Sequence, residues 1–155
     1  DYLERKDAKR FDRVSLLSIA ASAQALKSAG IPDGVPDGVD PSRFGVIFGS
    51  GIGGIATFEE QHKRMLEGGP KRVSPFFIPM FIPDISAGLI SIRWNLQGPN
   101  YATVSACASS AHAIGDAARH ISHGDADMMI AGGGEATITP MTAAETKKRH
   151  APHAR

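Results

Sequence analysis

Short, wholly apolar runs alternate in this chain with helical stretches of a dozen residues or more, and that alternation leaves few folds open. "RFGVIFGS" (43–50), "YATVSA" (101–106) and "ADMMIAGGG" (126–134) read as strands. Residues 12–30, 54–69, 84–98 and 109–124 read as helices. In the first of these, Val14, Leu17, Ala21 and Ala25 share one face, and Gly30 is placed to stop it. Asp84 is placed to cap the third, and Gly124 to end the fourth. Strands that are apolar on both sides need cover on both sides, so the pattern predicts βαβ units and a mostly parallel sheet with covering helices.

The connections differ in kind. "IPDGVPDGVDPS" (31–42) is rich in turn formers, with two Asp-Gly pairs. "SPFFIPMFIPD" (74–84) is apolar, Phe-rich and interrupted by proline, and is expected to be an ordered loop lining a pocket or an interface. Residues 142–155, "TAAETKKRHAPHAR", are basic and lack apolar periodicity, and are expected to be frayed or disordered. The domain organisation read from this is a folded unit over 1–141 and a divergent tail over 142–155.

Charge and composition narrow the function. Lys and Arg number 17 against 16 Asp and Glu, too even a balance for a general nucleic-acid binder. No apolar run is long enough to span a bilayer, no signal peptide opens the chain, and a single cysteine forms no internal disulfide. The expectation is a cytoplasmic protein with no membrane or nucleic-acid partner, and a piece of a longer one, since it opens on Asp1.

Two motifs invite readings that fail on inspection. "GSGIGG" (49–54) fits a dinucleotide fingerprint and sits between a strand and a helix. The acidic residue required about 20 positions on is missing from any strand end, since Glu67 lies in a helix end. The glycines then mean a tight turn where backbone passes close to something. His120, His123 and Asp125 are close in sequence, but zinc wants three or four converging ligands. Neither a metal nor a cofactor is expected.

Cys107 is the stronger candidate. A lone cysteine is more often a small buried apolar residue than a nucleophile. Here it lies between a strand and a helix, amid Ser105, Ala106, Ala108, Ser109 and Ser110. An elbow there would turn the thiol outwards, near the N–H groups of a helix start, where a thiolate is favoured. Small neighbours leave room for a carbonyl to approach, and the Cys107 N–H could meet the oxyanion.

"GSGIGG", "SPFFIP", "GPNYATVSACASSAHAIGDAAR" and "GDADMMIAGGGEATITP" resemble, in order and spacing, the β-ketoacyl-[acyl carrier protein] synthases of fatty-acid synthesis, nearest to the elongating type II branch. The resemblance covers about residues 2–141. It implies a partial thiolase-like fold, truncated at both ends, within a homodimer. It also implies transfer of an acyl chain to a cysteine and decarboxylative condensation with malonyl-carrier protein. Cys107 then matches the nucleophile, with its N–H as half of an oxyanion hole. Ile52 matches a residue that gates the acyl pocket, Ala106 and Ile78 match pocket-lining positions, and Phe77 matches one that reaches towards the partner subunit's pocket. Lys9, Arg10, Lys71 and Arg72 match basic positions that meet the acidic, acyl- or malonyl-loaded carrier protein.

The departures from the family pattern are as specific. Its opening strand and its second half are not matched, and with the latter go two catalytic histidines, a lysine and the second oxyanion donor. None of the histidines present falls in those motifs. Two alternatives follow: a non-catalytic relic or interaction module that binds carrier protein or a partner subunit, and a polyketide ketosynthase, because "SACASS" lies between the two groups' cysteine motifs.

Overall fold

The computed structural model of the protein describes residues 10–149. Six α-helices and three strands are assigned there: α1 (Arg13–Ser28), β1 (Phe44–Gly49), α2 (Ile55–Gly68), α3 (Phe77–Phe81), α4 (Ile85–Trp94), β2 (Asn100–Tyr101), α5 (Ser109–Ser122), β3 (Met128–Gly133) and α6 (Pro140–Arg149). The strands form one parallel sheet in the order β2-β1-β3, with Val46 opposite both Asn100 and Ile130. The parallel α/β reading holds.

Helices cover both faces. Phe44, Val46 and Phe48 point from β1 to one side and pack with Ile19 and Leu26 of α1 and with Ala87, Ile90 and Trp94 of α4. Ile47 points to the other side, against Ala113 and Ala117 of α5. Every residue of β1 is buried, as its composition requires. Strand β3 is only partly covered, and Ala131 and Gly133 are exposed.

Several expectations change. The face of α1 that packs into the protein carries Val14, Ser15, Ser18, Ile19, Ser22 and Leu26. Leu17, Ala21 and Ala25 instead line an open groove of about 280 Å³ beside Phe48 and Ile130. Of the buried serines, Ser18 is satisfied by donating back to the Val14 carbonyl at 2.7 Å. Asp84 makes no side-chain cap on α4; its backbone is already helical and its side chain is exposed.

The proline-rich stretch contains a five-residue helix, α3, rather than only loop. Pro79 falls in its first turn, where a missing N–H costs nothing. "YATVSA" pairs with β1 only at its start, through Tyr101. The tail expected to fray from 142 is helical to Arg149, and residues 150–155 lie outside the described residues. Its start signal is local: Pro140 stands at the first helical position, and the Thr139 carbonyl accepts from the Ala143 N–H at 2.9 Å.

Candidate functional site

The cysteine is positioned by what is missing from the strand ends. Helix α5 begins directly over the C-terminal ends of β1 and β3. A Cβ at Gly49 would overlap the backbone carbonyl of Ser109, and one at Gly133 would overlap the Ser110 hydroxyl and the Gly49 carbonyl oxygen. Only glycine at both ends lets the helix start sit on the sheet. The Gly134 N–H donates to the Gly49 carbonyl at 3.0 Å and holds the two strand ends together.

Above this seat the chain turns sharply. Ala106 has φ +49°, a left-handed conformation that costs an L-residue roughly 1–2 kcal/mol. Residues Ala106–Ala108 form a 3-10 turn leading into α5, with Cys107 at its centre and exposed. The buried-hydrophobe reading of Cys107 therefore fails, and the elbow reading describes its placement. Ser109 fastens the turn: its hydroxyl donates to the Ala106 carbonyl at 2.8 Å and accepts from the Ser105 N–H at 2.9 Å. The Thr103 hydroxyl donates to the Ser109 carbonyl at 2.8 Å. These bonds explain why "YATVSA" leaves the sheet early. The Thr103 side chain and the Ser105 N–H are committed to closing the turn, while the Thr103 carbonyl still accepts from the Ser50 N–H beyond β1 at 3.2 Å. Ser105 Oγ and His112 Nδ1 lie 2.6 Å apart, which fixes the ring of an exposed histidine one turn along α5.

The "GSGIGG" loop packs against this turn. Gly51 stands next to Ala106, whose Cα would be 3.3 Å from a Cβ placed on Gly51. Ile52, the next residue, is 43% exposed despite its size. Farther along, Gly53 (φ +76°) and Gly54 press on the backbone of α3, and the Gly54 N–H donates to the Phe81 carbonyl at 2.9 Å. The glycines serve close backbone contact on two sides. The loop's own N–H groups are already engaged, because Glu135 accepts from those of Gly51 and Ile52.

Of the other expected site residues, Phe77 is half-buried on α3, with its ring 6.3 Å from that of Phe58 and 5.6 Å from that of Phe81. Ile78, beside it, is exposed. Their helix reaches the Cys107 turn through the glycine loop, which touches α3 at Gly53 and Gly54 and Ala106 at Gly51, with Ile52 between these contacts. The basic residues are spread out. Arg10 is exposed near the start of α1, and the neighbouring Asp12 bonds to Thr57 at the start of α2. Lys71 and Arg72 are exposed in a 3-10 turn beyond the other end of α2, roughly 17 Å away by helical rise. Lys9 lies outside the described residues.

His120 meets only one of its candidate partners, Asp125, short of the three or four ligands zinc wants. Its Nδ1 lies 3.2 Å from Asp125 and its Nε2 lies 3.2 Å from the Tyr101 hydroxyl. Burial, reinforced by Asp116, raises the pKa of Tyr101. Among the described residues no group of His, Cys, Asp and Glu side chains is arranged to hold a metal, and no helix is long and apolar enough to cross a membrane.

Sequence reasoning missed Ser109 and Glu135. Ser109 was hidden among many small residues. Glu135 had a visible signal, an acid directly after the Gly132–Gly134 run that ends a strand.

Comparison with known proteins agrees with this geometry. The profile of the β-ketoacyl synthase N-terminal domain matches residues 1–154. A 3-oxoacyl-[acyl-carrier-protein] synthase 2 of Staphylococcus aureus (strain N315) is 48% identical over 146 residues, which is 93% of this chain and 34% of that protein. The protein of the same name from Synechocystis is 44% identical over 141 residues, 91% of this chain and 33% of its own. Among solved structures, a β-ketoacyl synthase from Burkholderia phymatum matches with TM-score 0.79 and 31% identity, over the whole of this chain and 37% of that one. A ketosynthase complex with a type II PKS acyl-carrier protein, bound to a hexaketide, matches with TM-score 0.87 and 26% identity over 95% of this chain and 42% of that one. The chain thus spans about a third of the length of the curated relatives, and its fold is the thiolase-like fold of the ketosynthases.

Proposed function

The chain belongs to the β-ketoacyl synthase family through its N-terminal domain, and from that premise we propose that Cys107 is the acyl acceptor of a fatty-acid condensing enzyme. The observation that carries the reading is the exposed thiol at the centre of a turn with a left-handed residue before it, seated on two glycine strand ends. The Cys107 thiolate attacks the carbonyl carbon of an acyl thioester on a carrier protein. The oxyanion collapses, the C–S bond to the carrier's thiol breaks, and that thiol leaves carrying the negative charge, to be protonated. The acyl group remains as a thioester on Sγ. The Cys107 N–H supports the oxyanion while it lasts.

In the whole protein, loss of carbon dioxide from malonyl-carrier protein supplies the carbanion that attacks this thioester and releases the cysteine. The groups assigned by resemblance to that second step fall outside the stretch matched here. The carrier is an acidic acyl carrier protein that meets Arg10, Lys71 and Arg72, and Lys9 with them. Ile52 gates the acyl pocket, Ala106 and Ile78 line it, and Phe77 serves the pocket of a second subunit in a homodimer. The strong match to enzymes named 3-oxoacyl-[acyl-carrier-protein] synthase 2 favours fatty-acid over polyketide substrates. The polyketide reading keeps one specific support, the ketosynthase of the hexaketide complex.

The test is intact-mass analysis after incubation with acyl-loaded carrier protein. The expected result is one acyl adduct, mapped to Cys107 and absent from Cys107→Ala. Carrier binding without any adduct would replace the enzyme reading with that of an interaction module.

A further inference from the structure

Resting on the acyl-transfer reading above, we propose that Glu135 is a positioning residue that latches the Ile52 loop against the nucleophile's turn and so sets which acyl chains enter. The carboxylate lies at the end of β3, 84 positions from the loop it holds. One oxygen, Oε1, receives the backbone N–H of Gly51, the Ser50 hydroxyl at 3.0 Å and the Ile52 N–H at 3.3 Å. The Ser50 hydroxyl also accepts the Gly53 N–H at 3.0 Å. Consecutive polar groups of the loop, from Ser50 to Gly53, therefore drain into a single carboxylate. An anion on successive backbone N–H groups is a strong, charge-assisted arrangement.

The position of the latch matters because of what the loop touches. Gly51 lies against Ala106, the strained residue before Cys107, and Ile52 follows directly with its side chain exposed. A glycine-rich loop has many alternative conformations. Without a fixed anchor, the side chain at 52 would have no defined position relative to the thiol. The second end of the same segment is also held, since Thr139 and the Met141 N–H bond to Glu59 of α2. Residues 135–141 thus form a strap over the loop and the helix that follows it, with Glu135 as its attachment nearest the cysteine.

The test compares Glu135→Ala, Glu135→Gln and the unaltered chain by two independent readouts. In Glu135→Ala, amide exchange at Gly51 and Ile52 should rise about tenfold or more while β1 amides keep their protection, because a local anchor is lost and the core is not. The ratio of palmitoyl to butyryl transfer onto Cys107 from small thioesters should shift about tenfold, the scale of discrimination a reshaped apolar pocket gives. Glu135→Gln keeps an acceptor oxygen and should fall between the two. Unaltered exchange at Gly51 and Ile52 in Glu135→Ala would overturn the latch. Raised exchange with an unchanged chain-length ratio would overturn its role in selection. If the unaltered chain takes no acyl group at all, the acyl-transfer reading fails together with the selection claim, while the exchange result still decides whether Glu135 holds the loop.

Discussion

Asp12 and Thr57, 45 positions apart, are joined by a buried carboxylate that caps two helices at once. Oδ1 of Asp12 accepts the Val14 N–H at 3.0 Å, at the start of α1. Oδ2 accepts the Thr57 N–H at 2.9 Å and its hydroxyl at 2.7 Å, at the start of α2. Both helix ends carry unpaired N–H groups and a partial positive charge, so one anion serves both. Asp12→Ala should destabilise the fold by about 2–4 kcal/mol, a lost cap plus buried donors left unpaired. Urea unfolding checks this, and Thr57→Val should lose less, since its N–H remains bonded.

Gly49→Ala should both destabilise the chain and slow acylation of Cys107. The added methyl meets backbone rather than a flexible side chain, so the start of α5 has to lift. A cost of about 1–3 kcal/mol is expected from the overpacking. Gly115→Ala in the same helix is the control. Nothing lies within 4 Å of a Cβ there, so thermal midpoint and acylation rate should change little. Equal behaviour of the two variants would argue against the glycine seat.

Arg43 ties the start of β1 to the start of β3. Its guanidinium meets both carboxylate oxygens of Asp127, at 3.1 and 2.6 Å, and donates to the Gly124 carbonyl at 2.7 Å. The hydrogen bond from Arg43 holds the Asp127 carboxyl below its ordinary value. A carboxylate whose pKa is depressed by folding contributes stability above its unfolded value, and that contribution is lost as the pH falls through the folded value. Asp127→Asn should therefore be less stable than the unaltered chain near neutrality. The gap should close in acid, below the ordinary carboxylate range. Urea midpoints of both proteins across that range would show it. A gap independent of pH would mean that the pair's charge is not what matters.

Carrier docking should respond differently at the two ends of α2. Reversing Lys71 and Arg72 to Glu is expected to slow acylation from carrier protein about tenfold at low salt, with the difference shrinking as salt rises. Acylation from a small thioester should not change. Arg10→Glu, at the far end of the helix, tests whether the carrier spans both sites. Equal rates from the carrier in all variants would remove these residues from the interface.

The parallel sheet was legible because β1 is apolar on both sides, and Cys107 because it stands alone between a strand and a helix. Two kinds of feature were not legible. Pro79, within the first turn of α3, was read as an interruption, since the same residue breaks a helix interior and fits a first turn, and the start signal at Pro140 was outweighed by the lack of apolar periodicity after it. Contacts between distant segments were invisible. Nothing local in "GGGEATITP" says that Glu135 returns to Ser50 and Gly51, and nothing near Leu17 says that it is left exposed while Ser18 and Ser22 are buried.

The glycine seat under α5 also has a consequence for precision. A helix resting on side chains inherits their rotamers, and its height shifts whenever one of them hops. At Gly49 and Gly133 there is no side chain to hop. At Gly49 the distance from sheet to helix is a distance between main chains, held by the pairing of β1 with β3, while Gly133 gives room to the Ser110 hydroxyl. The thiol's position is therefore insulated from repacking elsewhere in the core. Its remaining freedom lies in the side-chain bonds of Ser109 and Thr103 that close the turn.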